Sequence, residues 1–403
     1  MTKWLIALAA VVMQICLGAA YGWSVFVQPL VGMTGWSLTQ VSLCFTLAIA
    51  FLGVGTIIGG LWQDRSGPRP VATTAGVIYG ASYLLAAYFA SQRSLVGMYV
   101  SYGFLGGIGM GMGYITPVAT VTKWFPERRG LMTGIAVAGY GVGALIMSPF
   151  AARSIAARGV PATFAILGVV YLVLVVIAAQ FFSNPPTAAG ATRSATRDFT
   201  VGDAMRTPQF WTLWLMLFVN VSAGIMIISQ ASPIAQQLVH MTPVAAAGMV
   251  GLISIFNGAG RVFWAWTSDH IGRARVYLLL YAIQAVIFFL LPSLTNLTLF
   301  SAAFAVIGLC YGGGFGTMPS FTADFFGSKS MGGIYGWILL AWGAGAIPSP
   351  LLIAHLRQTT GRYDQAIHTV AVVMLVAIVL PLSVRRPRPE RTHEFADGTI
   401  QRR

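Results

Sequence analysis

Arg261 lies in the middle of an apolar run, and its position defines the chemistry this chain can do. From Thr242 to Trp266 every residue is apolar or small except Asn257 and Arg261. Arg261 precedes Asp269, where a charged loop begins, by eight residues. At 1.5 Å rise per residue that is about 12 Å. A bilayer's hydrocarbon core is about 30 Å thick, so Arg261 falls near the midplane. A cation there costs about 2.5–3.5 kcal/mol on insertion scales. The sequence sets no Asp or Glu at comparable depth. A fixed, uncompensated buried cation is what a site for a small anion requires. The competing use is a structural arginine bonded to helix carbonyls, but ionisable groups inside membranes are functional by default. Asn257 is four residues away and shares a helix face with Arg261. The guanidinium can offer a two-pronged fork to a carboxylate, and Asn257 can add a donor or orient that fork.

The elements that hold this pair must be membrane helices. The 403 residues are 57% hydrophobic and 8% charged, whereas a soluble domain carries about 25% charged residues. Runs long enough to span appear at 4–30, 40–62, 70–91, 95–122, 131–152, 162–183, 208–238, 243–266, 275–292, 296–320, 331–356 and 365–384. The first is too long for a signal-peptide core and reads as an uncleaved span. These twelve predict an all-α membrane protein. The boundaries are 1–183 for an N-terminal six-helix bundle, 184–206 for a cytoplasmic linker, 207–384 for a C-terminal bundle and 385–403 for a tail. The linker is rich in Pro, Thr, Ala and Arg.

The net charge of +14 sits in loops and the tail, where topology explains it, so no nucleic-acid partner is expected. With both termini inside, inner segments hold 18 Lys and Arg against 5 outside, which places the termini in the cytoplasm of a plasma (inner) membrane. The halves repeat at an offset of about 202–205. Pro117 matches Pro319, Gly130 matches Gly332, and Gly134, Gly141 and Gly143 match Gly336, Gly343 and Gly345. Asp64 and Gly67 match Asp269 and Gly272. Parallel six-span repeats are a transporter architecture.

Other motifs exclude rather than add. Gly107, Gly109, Gly111 and Gly113 lie within an apolar span with no preceding strand. They read as close helix packing, not a phosphate loop. Cys16, Cys44 and Cys310 fall in apolar runs and suggest no disulfide framework. The five histidines lack metal-ligand spacing, so no metal or cofactor is expected. No nucleophile–base pair or nucleotide motif supports an enzyme. A non-transporting membrane sensor would need an extra folded domain, and neither the linker nor the tail has room for one.

The loop after the second span, Gly60-Leu-Trp-Gln-Asp64-Arg65-Ser-Gly67-Pro-Arg69, resembles the G-x-x-x-D-R-x-G-x-R/K signature of the major facilitator superfamily. A degenerate copy, Asp269-His-Ile-Gly272-Arg273, follows the eighth span. Phe256-Asn-Gly-Ala-Gly-Arg261, Tyr21-Gly-Trp-Ser-Val-Phe and Gly113-Tyr114-Ile-Thr-Pro117 resemble the oxalate/formate antiporter and monocarboxylate transporter branch. The resemblance implies transport of a small carboxylate by a monomer in lipid, through alternating access. It implies aromatic contacts at Tyr21, Tyr114, Tyr140, Tyr311, Phe315 and Trp342. Trp342 stands where oxalate exchangers carry a lysine, which suits a monovalent anion with an apolar tail. Asn257 stands where monocarboxylate carriers often place an Asp, which leaves no proton relay there. Lactate or pyruvate with a proton is the expected cargo, and anion exchange is the alternative. Asp64, Arg65 and Asp269 are expected to latch the outward-facing state by pairing with charges or capping helices.

Overall fold

The structure, a computed structural model, describes residues 3–186, 198–228, 230–349, 352–353 and 363–387. The chain forms α1 (Lys3–Thr34), α2 (Leu38–Ser66), α3 (Pro68–Ser91), α4 (Leu95–Trp124), α5 (129–158) and α6 (160–179). The second half forms α7 (Pro208–Ile228), α8 (Pro243–Ile271), α9 (Arg273–Leu290), α10 (Leu297–Phe326), α11 (Met331–Ala346) and α12 (Asp364–Ser383). Among the described residues these make twelve membrane helices, in two six-helix repeats. Leu8, Ile58, Val170, Phe263 and Val376 face outward and exposed, as a lipid-facing belt requires.

Three boundaries differ from the hydropathy pattern. α5 runs to residue 158 instead of 152, so Arg153 and Arg158 belong to its last turns. It ends where Gly159 adopts φ +82°, followed by Pro161. Only glycine takes that φ without strain. The expected seventh span of 208–238 is broken. α7 stops at Ile228, and a separate short helix covers Ala231–Leu238. Pro233 lacks the N–H that a continuous helix would use and sits instead in the first turn of a new one. The linker is not all irregular, because Thr200 caps a short helix at Val201–Met205. Residues 187–197, Arg357, Arg362, Pro350, His355 and the tail beyond residue 387 lie outside the described residues.

Four helices that start at the end opposite the N-terminus, α2, α4, α8 and α10, carry their own caps. Ser37 forms a capping box with Gln40, and Ser94, Thr242 and Asn296 accept first-turn amides. α5 and α11 start at the N-terminal end with no side-chain cap of their own. Their caps come from the other half.

The halves meet along α2 against α11 and α5 against α8. Glycines allow the contact. A Cβ on Gly60 would collide with the Gly332 carbonyl, and one on Gly134 with the Arg261 carbonyl. Gly107 and Gly111 bring α4 against the α2 backbone at Ala48 and Leu52, the close packing expected from small residues.

Candidate functional site

Arg261 is fully buried. Its depth follows from α8 being squeezed between two backbones, since Gly134 of α5 and Gly316 of α10 both abut the Arg261 carbonyl. The guanidinium donates from Nε to Asn257 Oδ1 at 3.1 Å and from Nη1 to the Val137 carbonyl of α5 at 3.1 Å. Nη2 has no partner. Asp64, Asp269 and Asp324 each lie two residues from a helix end. Rings do the stabilising instead. Cζ lies 5.1 Å from the Phe315 centroid and 5.6 Å from that of Tyr140. Such contacts reach about 2 kcal/mol when dry.

The expected aromatic residues converge. Trp342 touches Phe315 at 4.8 Å between centroids, Tyr114 and Tyr140 at 5.7 Å each, and Tyr21 at 6.2 Å. Tyr311 stacks edge-on against Phe315 at 5.3 Å. Tyr21 sits in a 3₁₀ stretch of α1, Ala19–Trp23, a tightening that breaks the helix locally at the site. Gln14 of α1 donates to the Tyr114 carbonyl at 3.1 Å and ties α1 to α4 below it. The hydroxyls of Tyr21 and Tyr114 are buried close to Arg261, and neither makes a hydrogen bond of good geometry.

A cavity of about 440 Å³ lies between the halves on the side away from Lys3. Tyr21, Asn257, Tyr311 and Trp342 line it, with Ser24, Thr46 and an apolar wall that includes Ile225, Ile253 and Ile347. Arg261, Tyr114, Tyr140 and Phe315 sit beneath that floor. The eight residues therefore form one connected cluster, of which Tyr21, Asn257, Tyr311 and Trp342 line the cavity and the other four do not.

The opposite end is closed. Asp64 of α2 accepts the Gly332 and Gly333 amides of α11 at 3.2 and 2.6 Å, and pairs with Lys123 at 3.3 Å. Asp269 of α8 accepts the Gly130 and Leu131 amides of α5 at 2.9 and 2.8 Å, and pairs with Arg273 at 2.7 Å. Asp324 joins Arg129 and Arg273 at 3.2 and 3.0 Å. Each half thus caps a helix of the other. Thr56 also donates to the Gly336 carbonyl at 3.1 Å, and Thr133 and Ser320 share a hydrogen bond of 3.1 Å. Arg65 is exposed and joins none of these contacts. Sequence reasoning missed Lys123, Arg129, Arg273 and Asp324 as partners in this closure. Their signal was charge at the same helix ends.

A sequence profile of the Major Facilitator Superfamily matches residues 6–350 and 252–400. The chain belongs to that superfamily. It is 31% identical over 349 residues to the oxalate:formate antiporter of Oxalobacter formigenes, covering 85% of this chain and 81% of that protein. It is 26% identical over 433 residues to apicoplast pyruvate carrier 1 of Toxoplasma gondii, covering 89% of this chain and 78% of that one. The fold matches the transporter FucP in its outward conformation with a TM-score of 0.75 at 15% identity, over 94% and 97% of the two chains.

Proposed function

We propose that this superfamily member carries small monocarboxylates across the plasma (inner) membrane by alternating access, with Arg261 as the carboxylate site. One observation carries the reading: a fully buried arginine is bonded to Asn257, which lines a cavity, and among the described residues no carboxylate pairs with it. The relatives' printed activities, oxalate with formate and pyruvate, support an organic anion. A single cation, with Trp342 beside it and apolar walls above, favours one carboxylate with a short apolar tail over a dianion.

With the termini in the cytoplasm, the cavity faces outward and Asp64 and Asp269 latch the inner side. The substrate enters the cavity, Tyr21 and Trp342 move aside, and the carboxylate reaches Nη2. The bound anion offsets the arginine's charge, and Nη1 can leave the Val137 carbonyl as α5 and α8 part. A proton travels with the anion, so that the pair moves no net charge. A second reading is anion exchange, favoured by the same lone arginine, because the empty carrier must move it uncompensated. Neither reading calls for a partner subunit. Uptake of labelled lactate and pyruvate by proteoliposomes tests the proposal, and absence of saturable uptake of either overturns it.

A further inference from the structure

Arg261 belongs to one half of a repeated chain, and the other half holds its counterpart. At the offset that matches Asp64 with Asp269, Arg261 matches Thr56. Each precedes its aspartate by eight residues, so the two stand at the same depth, about 12 Å inside the latch. Thr56 is fully buried and does not line the cavity.

The contacts repeat as well as the positions. Arg261 has one acceptor on its own helix, Asn257 Oδ1, and one across the halves, the Val137 carbonyl. Thr56 Oγ1 has one acceptor on α2, the Gly53 carbonyl at 2.7 Å, and one across the halves, the Gly336 carbonyl of α11 at 3.1 Å. The backbones also meet in the same way. A Cβ on Gly134 of α5 would strike the Arg261 carbonyl, and one on Gly336 would strike the Thr56 carbonyl. The contact of α2 with α11 is therefore built like that of α8 with α5, one rung further in than the two aspartate caps.

The two rungs differ in what can break them. The guanidinium is charged and bonds to Asn257, which lines the cavity, so an anion can compete for it. Thr56 is neutral and has one proton to share between two carbonyls. When α2 and α11 part, that proton can stay with the Gly53 carbonyl, so opening strands no buried donor. Such a contact favours closure yet releases without a large penalty, and a ligand in the cavity does not compete for it.

We propose that Thr56 is a positioning residue for alternating access. Its hydroxyl holds α2 on α11 through the Gly336 carbonyl and favours the state open to the outside, independently of the substrate. The inference rests on the alternating-access reading above and not on the choice of anion. Thr56 then sets how often the empty carrier faces inward, and a minor state binds with an apparent affinity reduced by its population.

The test uses no substrate. A cysteine is placed at buried Ser320, with Cys16, Cys44 and Cys310 replaced, and its labelling from the cytoplasmic side is timed. Thr56→Val keeps the shape and removes the hydroxyl, whereas Thr56→Ser keeps the hydroxyl. Labelling should be about fivefold faster in Thr56→Val, the factor that one ordinary hydrogen bond supplies. In Thr56→Ser it should stay near the wild-type rate. Asp269→Asn is the control that opens the same side by another contact. An unchanged rate in Thr56→Val beside a faster one in Asp269→Asn overturns the proposal and leaves alternating access standing. No labelling of any of these proteins overturns both. Equal acceleration in Thr56→Ser and Thr56→Val overturns the role of the hydroxyl. A lowered Tm in Thr56→Val with an unchanged labelling rate marks packing alone and overturns the proposal too. Should Thr56→Val not reach the membrane, Thr56→Ala takes its place with the same expected rates.

Discussion

Arg261 donates to the carbonyl of Val137 at 3.1 Å, across the boundary between the two halves. The residue proposed to hold the substrate is thus also a bond between the parts that must separate. A carboxylate that takes over the guanidinium competes with that bond, so binding and rearrangement draw on the same N–H groups. Alternating access needs such differential contact, because a ligand shifts an equilibrium only by its unequal affinity for the two states.

The closed end offers a separate test. Asp64 and Asp269 supply caps that α11 and α5 lack locally, and a lost cap costs about 0.5–2 kcal/mol. Asp269→Asn or Asp64→Asn should therefore raise the population open on that side by about tenfold, since 1.4 kcal/mol is a factor of ten. The readout is labelling of a cysteine placed at buried Ser320, with Cys16, Cys44 and Cys310 replaced. Faster labelling from the cytoplasmic side is expected, and an unchanged rate argues against a latch.

On the proposed reading Trp342 sets selectivity, because the resemblance places it where oxalate exchangers carry lysine. Oxalate at equal concentration should compete poorly with labelled lactate in the wild type. Trp342→Lys should move preference towards dicarboxylates even as total activity falls, because it adds a cation beside Arg261 and removes an aromatic wall. Strong inhibition by oxalate in the wild type would contradict this view.

Much of the architecture was legible in the chain. A midplane arginine, twelve apolar runs and a repeat in Asp64 and Asp269 announce a two-part membrane carrier. What stayed hidden was where one element depends on a distant one. Hydropathy averaged over a window carried the seventh span past Ile228, although Ser229, Gln230 and Pro233 interrupt the run there. Nor could it show that Val137 matters, because the contact is a backbone carbonyl. The packing of Phe315 and Tyr140 against Arg261 depends on helix rotation, which no linear pattern carries.

Coupling follows from charge. If a proton accompanies the anion, acid outside should drive lactate accumulation in proteoliposomes whose voltage is clamped with potassium and valinomycin. The direction is inward, because the gradient favours proton entry. If acid outside yields no accumulation and internal anion instead speeds uptake, exchange replaces symport.

The most direct test of the central claim is uptake of labelled lactate or pyruvate by Arg261→Gln in proteoliposomes, beside the wild type and Arg261→Lys. Glutamine keeps polar atoms in place but removes the charge, and lysine keeps the charge but loses the planar fork. The account predicts no saturable uptake by the glutamine variant and severely weakened uptake by the lysine variant, with both proteins inserted and monodisperse. Near-wild-type uptake by a well-folded Arg261→Gln would contradict it.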